Sequence, residues 1–194
     1  MQPLIIGLTG KKGHGKTTAT NKLAEVLMEK GYYVQRHNFK DALIHTMRTK
    51  LNRTLALLGE HYNLTQQELF DQKPPMMRTL MQEVGTEIYR GMKDDWWVLE
   101  WYKNIFEIIK LREKEPKLAI ITDDVRFLNE ATILQAKRGV LIRIVREGYE
   151  DGVATNHQSE TEMDGIQVDH TITAKDKDEL EAKIVDLCSK LETL

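Results

Sequence analysis

The sequence has little cysteine, little net charge and no long apolar run. Its single cysteine, Cys188, has no partner for a disulfide or a cysteine-based metal site, which favours a reducing compartment. The formal net charge is −2, so the chain lacks the basic footprint typical of proteins that bind duplex nucleic acid. No apolar run approaches the roughly 18 residues that a membrane span needs, and no signal-peptide pattern precedes the first apolar segment. We therefore expect a cytoplasmic protein whose partners include neither a membrane nor nucleic acid.

Apolar segments of strand type alternate along the chain with segments of helical period. The 194 residues, 41% of them hydrophobic, are sufficient for one domain with a buried core. The strand-like segments are 4–8, 32–37, 118–122, 140–145 and 170–173. This alternation predicts an α/β fold with an open, five-stranded parallel sheet that has helices on both faces. Ligands are then expected at the carboxyl ends of the strands.

The helical segments are concentrated in the middle third of the chain. Apolar spacing predicts helices over 17–30, 42–58, 76–92, 129–137 and 176–191, and a further helix that begins at Asp94 or Asp95. Thr65 and Glu68 have the spacing of a capping box, so a short helix is expected to begin there. Residues 147–165 are polar and lack a regular period, which indicates a long surface segment.

The first strand-like segment leads into a loop that matches the phosphate-binding pattern GxxxxGK(S/T). Its glycines, Gly10, Gly13 and Gly15, let backbone N–H groups surround phosphate oxygens, and the following helix directs its amino end at the same anion. Lys16 is placed to reach the β- and γ-phosphates, and the Thr17 hydroxyl suits Mg²⁺. The residues expected to bind the nucleotide are Gly10, Lys12, Gly13, His14, Gly15, Lys16, Thr17 and Thr18.

Two acidic residues, Asp123 and Asp124, directly follow the apolar segment 118–122. In phosphate-loop enzymes a carboxylate at this point holds Mg²⁺ through water or positions the substrate. We assign this role to Asp124. The simpler alternative is that both acidic residues only end the strand.

Together these motifs resemble the phage-type deoxynucleoside monophosphate kinases, within the wider group of phosphate-loop kinases. The resemblance covers nearly the whole chain. It depends on residues 10–17, on 78–87 with Arg90 and the paired Trp96 and Trp97, on 124–130, and on 157–160. The phosphate loop identifies a superfamily only, whereas the other three motifs in this order indicate the kinase family.

The resemblance implies a three-layer phosphate-loop kinase fold and an ATP-dependent, Mg²⁺-dependent enzyme. The expected core comprises 1–40, 115–146 and 166–194, with a helical acceptor-binding insert over about 41–114 and a lid over about 147–165. Its small-molecule substrates would be ATP and a nucleoside monophosphate, and a phage-encoded enzyme would act in the host cytoplasm. The base that is accepted, the preference between deoxyribose and ribose, and the formation of a homodimer stay open.

The resemblance also implies a set of catalytic residues, which are Lys16, Arg78, Asp124, Arg126 and Arg146. Arg78 is assigned to the acceptor phosphate, and Arg146 to the phosphates from the base of the lid. Asp124 is expected to contact substrate as well as metal. Arg143, which shares a strand with apolar residues, is expected to be structural.

Further substrate-binding residues are expected in the helical insert. They are Asp41, Gln82, Arg90 and Trp97. Gln82 follows Arg78 by four residues and therefore shares its helix face. Asp41 could equally cap a helix, one of the paired tryptophans could stack on a base while the other packs in the core, and Arg90 is the weaker of the two arginine candidates.

Other functions are compatible with parts of the pattern. A kinase of the same fold could act on another acceptor, such as dephospho-coenzyme A or phosphomevalonate, and a regulatory nucleotide-binding module would need no second substrate. The segment that contains His157, Ser159 and Glu160 matches the family, but a helix cap explains it equally well. A nucleic-acid-dependent ATPase is disfavoured by the near-neutral charge.

Overall fold

A computed structural model describes residues 2–149 and 162–191 of the chain. The chain divides into two compact units. The first unit consists of Met1–Asn38 and Asn104–Leu194, and the second of Phe39–Lys103. The first contains the sheet, and the second is helical. The predicted lid falls largely in 150–161, so His157, Ser159 and Glu160 lie outside the described residues.

Five parallel strands form one sheet in the order β2-β3-β1-β4-β5. The strands are β1 (Leu4–Thr9), β2 (Tyr33–Arg36), β3 (Leu118–Thr122), β4 (Val140–Arg146) and β5 (His170–Ala174). The predicted parallel α/β sheet is confirmed, and no predicted strand end differs from the observed one by more than one residue. Because all five strands are parallel, the loops after β1, β3 and β4 emerge at the same edge of the sheet.

The helices surround this sheet or form the second unit. In the first unit they are α1 (Lys16–Glu29), α7 (Leu128–Ala136), a 3-10 helix (Glu162–Gly165) and α8 (Lys177–Leu191). The second unit contains α2 (Phe39–Lys50), α3 (Asn52–Tyr62), α4 (Gln66–Gln72), α5 (Pro75–Gln82) and a π-helix (Glu83–Arg90). The sixth helix, α6 (Trp96–Leu111), begins in the second unit and ends in the first.

The main core of the first unit lies between one face of the sheet and helices α1 and α8. Alternate residues of the central strands, such as Ile6 and Ile144, are fully buried against apolar side chains of both helices. Each fully buried side chain of this size contributes about 1.5–3 kcal/mol. On the other face, α7 approaches β1 so closely that a Cβ at Gly7 would lie 2.7 Å from Leu134. A side chain at that position would require the Leu134 and Leu141 side chains to shift.

Most helix ends lie within two residues of the positions that the sequence pattern predicted. The capping box at the start of α4 is confirmed. The Thr65 hydroxyl accepts a hydrogen bond from the Glu68 N–H, and the Glu68 carboxylate accepts one from the Thr65 N–H. The Thr65 hydroxyl and N–H also lower the pKa of Glu68 below its ordinary value.

Two helices differ from the prediction. The segment 42–58 was expected to be one helix but is divided between α2 and α3, which meet at Leu51. The segment 76–92 begins as an α-helix and continues as the π-helix from Glu83. Apolar residues about four apart fit either type of helix, so the spacing in the sequence did not distinguish them.

Within the described residues, no helix combines the length and the apolar character that crossing a membrane would require.

A half-buried arginine, Arg143, connects β4 to the 3-10 helix. The Arg143 guanidinium donates hydrogen bonds to the carbonyl oxygens of Met163 at 3.0 Å and Ile166 at 2.7 Å. These carbonyls belong to a helix end and a loop, where the backbone has no ladder partners. The Met163 carbonyl has one backbone donor, the Ile166 N–H at 3.4 Å, and Arg143 adds side-chain donors to this segment. This agrees with its expected structural role.

We predict that Arg143→Leu lowers the free energy of unfolding by about 1–3 kcal/mol, because the carbonyl groups of Met163, Asp164 and Ile166 lose the Arg143 donor. Urea denaturation followed by circular dichroism would measure the change. Arg36→Leu is the matched control, since Arg36 is also a strand arginine but is exposed, and it should change stability little. Equal stability of the two variants would contradict the structural role.

Candidate active site

The phosphate-binding loop occupies the carboxyl end of β1. Its three glycines have positive φ values, of 138° at Gly10, 80° at Gly13 and 93° at Gly15, which side chains disfavour. A Cβ at Gly10 would also meet the carbonyl oxygen of Ile144 in β4. The backbone of the loop therefore turns as the motif requires.

Helix α1 begins directly at the end of this loop. Gly15 occupies the N-cap position and provides no side-chain cap, so the amino end of the helix is left to other acceptors. The Lys16 ammonium donates hydrogen bonds to the loop carbonyls of Gly10 and, at 2.8 Å, Lys11. Thr17 is exposed in the first turn of α1, so its hydroxyl is accessible to a bound ion. The exposed Lys12 and the half-buried Thr18 flank the same turn.

Asp123 is fixed at the end of β3 by a side chain that the sequence did not single out. Asn38 donates from Nδ2 to Asp123 Oδ1 at 2.9 Å and accepts from the Asp123 N–H at 2.8 Å. The hydroxyl of Thr20 in α1 lies 3.4 Å from Asp123 Oδ2 and 2.9 Å from the Lys16 carbonyl oxygen. Asp123 thus faces the first turns of α1.

Alternation along β3 could have identified this orientation. Ala119 and Ile121 are buried in the core next to α1. Since side chains alternate between the faces of a strand, Asp123 continues the same face. Asn38 gave no comparable signal, because its partner is 85 residues away in the chain.

Asp124 and Arg126 follow in an irregular segment that is connected to the sheet and to α7. The Val125 N–H donates to the Leu8 carbonyl at 3.2 Å, which holds the segment beside β1. The buried Glu130 carboxylate accepts from the N–H groups of Arg126 at 2.8 Å and Phe127 at 3.2 Å. Both Asp124 and Arg126 are half-buried. A fixed backbone therefore carries both predicted site residues.

At the end of β4, Arg146 is exposed and lies next to the phosphate loop. The backbone N–H of Arg146 donates a hydrogen bond to His14 Nδ1 at 3.3 Å. The loop also meets the 3-10 helix, where the exposed Lys11 and Asp164 form an ion pair at 3.8 Å. Arg146, His14 and the loop lysines are thereby brought together at one edge of the sheet.

The other predicted residues lie in the second unit. Arg78 and Gln82 are exposed on α5, one helical turn apart. Asp41 is half-buried in the first turn of α2. Because that helix begins at Phe39, Asp41 is not its cap, and the capping alternative was wrong.

Two predicted substrate contacts are buried within the second unit. Trp97 is only 4% exposed, and its indole N–H donates to the Gly85 carbonyl at 2.7 Å. Arg90 is 8% exposed and donates to the Asp94 carbonyl at 3.1 Å. For Trp97 these contacts favour the packing alternative, because a buried ring offers no face to a base. The burial of Arg90 likewise argues against a phosphate contact, although Arg90 is not a solvated surface arginine either.

A surface cavity of about 480 Å³ lies in the first unit, at the amino ends of β4 and β5. It is lined by Gln135, Arg138, Gly139, Val140, Asp169 and His170. Parallel sheets bind ligands at the opposite edge, where the phosphate loop is. Within residues 2–149 and 162–191, no cluster of three histidine, cysteine or acidic side chains is arranged to hold a metal.

Comparison with known proteins gives one informative relative. No model of a known protein family matches the chain. A protein of Acanthamoeba polyphaga mimivirus named "Putative deoxynucleotide monophosphate kinase" is 31% identical over 175 residues, which cover 84% of each protein. Among solved structures, a cysteine-to-alanine mutant of the APS kinase CysC from Mycobacterium tuberculosis matches with a TM-score of 0.44 and 12% identity, over 97% of this chain and 98% of that one. Both of these values are low, and we infer nothing from the structural match.

We predict that Trp97→Phe destabilises the second unit and leaves any acceptor affinity unchanged. The free energy of unfolding should fall by about 1–3 kcal/mol, because the Gly85 carbonyl in the buried interior loses the indole N–H as a donor. Urea denaturation measures this fall, and Trp96→Phe, at the half-buried neighbour, should cost less. A higher KM for the acceptor at unchanged stability would instead restore Trp97 as a substrate contact.

Proposed function

This chain belongs to the family of the deoxynucleotide monophosphate kinases, and we propose that it transfers the γ-phosphoryl group of ATP to a deoxynucleoside monophosphate. Membership of the family makes the chain a kinase, a phosphotransferase with small-molecule substrates, and confirms the resemblance found in its motifs. The particular acceptor is the proposal.

The observation that carries the donor half of the proposal, the binding of ATP, is the form of the phosphate loop. The loop has three glycines with positive φ values, and the amino end of α1 has no side-chain cap. The Lys16 ammonium lies on the loop carbonyls. Backbone N–H groups, a helix amino end and a lysine placed in this way bind the phosphates of a nucleoside triphosphate. When a triphosphate binds, we expect the Lys16 ammonium to exchange the carbonyls of Gly10 and Lys11 for phosphate oxygens.

The transfer itself needs positioning and charge stabilisation. An oxygen of the acceptor phosphate attacks the γ-phosphorus, the bond from the γ-phosphorus to the β–γ bridging oxygen breaks, and ADP leaves with that oxygen. Lys16, Arg126 and Arg146 offset the negative charge that spreads over the transferring group. No covalent enzyme intermediate is required.

The residues of the site suit Mg²⁺, which prefers oxygen ligands and retains much of its water. The exposed Thr17 hydroxyl and the Asp124 carboxylate would hold it, directly or through water. Bound there with ATP, Mg²⁺ would neutralise charge on the phosphates. Asp123, which Asn38 fixes by two hydrogen bonds, is proposed to support the position of this segment.

The acceptor is proposed to bind the helical unit. Arg78 would hold its phosphate, and Gln82, one turn further along α5, would read the base or sugar through its amide group. Asp41 is proposed as a further contact. Arg90 and Trp97 are removed from this set because they are buried.

We predict that ADP release from ATP and Mg²⁺ rises sharply when a suitable deoxynucleoside monophosphate is added. A coupled assay with each common deoxy- and ribonucleoside monophosphate would identify the acceptor. Lys16→Ala should reduce the rate by at least about 10²-fold, because a donor to the transferring group is lost.

Lys22→Ala is the matched control for Lys16→Ala. Lys22 lies on the same helix but pairs with Glu25 at 3.0 Å, so the rate should be unchanged. If ATP binds but no monophosphate stimulates ADP release, the acceptor proposal fails. Dephospho-coenzyme A, phosphomevalonate and a regulatory role without an acceptor are then the next hypotheses to test.

We predict that Asp124→Asn raises the Mg²⁺ concentration needed for half-maximal activity by at least about tenfold, because the metal loses a charged ligand. A Mg²⁺ titration at saturating ATP measures this requirement. Asp123→Asn should change it much less. The opposite pattern would transfer the metal role from Asp124 to Asp123.

A further inference from the structure

Three residues at the end of β4 and in the phosphate loop contact one another pairwise. The backbone N–H of Arg146 donates a hydrogen bond to His14 Nδ1 at 3.3 Å. The His14 and Tyr149 rings meet edge-on, with centroids 5.7 Å apart and an interplanar angle of 85°. The Arg146 guanidinium carbon lies 5.1 Å from the centroid of the Tyr149 ring. We call these three residues the His14 triangle.

The His14 triangle is attached to the backbone of the phosphate loop. A Cβ at Gly13 would lie 2.6–2.7 Å from atoms of the Tyr149 side chain, so this ring packs directly against the loop. His14 is itself a loop residue and occupies a variable position of the motif. The start of the segment after β4 is therefore held to the loop by two different side chains.

These contacts restrict an arginine that is otherwise exposed. A long side chain at the surface has many rotamers, and ordering it costs entropy. The hydrogen bond to His14 fixes the backbone of Arg146, and the face of Tyr149 offers its guanidinium a favourable cation–π contact. An arginine restricted in this way loses less freedom when it engages a phosphoryl group.

We propose that His14 and Tyr149 are positioning residues that hold the Arg146 guanidinium beside the phosphate loop. The inference depends on the proposed function, in which Arg146 offsets charge on the transferring phosphoryl group. His14 and Tyr149 act through Arg146 and need no contact with ATP. This differs from the role in nucleotide binding that the motif gave His14.

A double-mutant cycle tests the proposal. His14→Ala and Tyr149→Ala should each lower kcat about tenfold, within the range expected for a displaced catalytic group, with little change in the KM of the acceptor. In an Arg146→Ala background, the same substitutions should have less than about a twofold further effect, since residues that act as a unit are not additive.

A conservative variant separates the hydrogen bond from general loop damage. His14→Asn retains an acceptor oxygen close to the position of Nδ1, and should recover most of the activity that His14→Ala loses. His61→Ala is the matched control, because His61 also makes an edge-on contact with a tyrosine, Tyr62, at 4.6 Å in the helical unit. It should retain the wild-type kcat.

Three results would overturn the proposal. The first is an equal loss of kcat on His14→Ala in the wild-type and Arg146→Ala backgrounds. The second is an unchanged kcat in His14→Ala. The third is a kcat of His14→Asn as low as that of His14→Ala. If the wild type phosphorylates no monophosphate, the proposed function has failed. Calorimetry then measures the affinity for ATP of the same single and double variants. Non-additive changes in the free energy of ATP binding support the positioning role, and additive changes reject it.

Discussion

The site depends on the close approach of the phosphate loop to the neighbouring strand. Gly10 lies against the carbonyl of Ile144, and its φ of 138° turns the chain out of β1 and towards α1. A side chain at this position would push the loop away from β4 and strain its backbone. Because β1 lies between β3 and β4, this one turn places the loop next to both strand ends that carry the other candidate residues.

Side chains that bind backbone groups hold the rest of the first unit's site in place. The segments after β3 and β4 leave the sheet and lose its hydrogen-bond ladder, so their polar groups need other partners. Asn38 accepts a hydrogen bond from the Asp123 N–H, and Glu130 accepts one from the Arg126 N–H. His14 accepts one from the backbone N–H of Arg146. Each of these residues fixes a neighbour that we propose to be functional or adjacent to a functional residue. The geometry of the candidate site therefore depends on side chains that bind the backbone of their neighbours.

The second unit uses its aromatic residues mainly for packing. Trp97 and Trp101 are buried, and Phe39 stacks on Trp101 with ring centroids 5.1 Å apart. Since this unit contains no sheet, large side chains have to fill the space between its short helices. Arg78 and Gln82, in contrast, are exposed on α5.

The sequence alone determined the strands, the phosphate loop, the capping box and the family, because each follows from local periodicity or from residues close together in the chain. It also predicted that the phosphate loop and the acidic pair lie at one edge of the sheet, since parallel strands present their carboxyl ends together. Only the tertiary structure decided that Trp97 and Arg90 are buried, that Asn38 fixes Asp123, and that His14 binds the Arg146 N–H. The burial and the two long-range hydrogen bonds depend on packing and on partners distant in the chain, which no local pattern encodes.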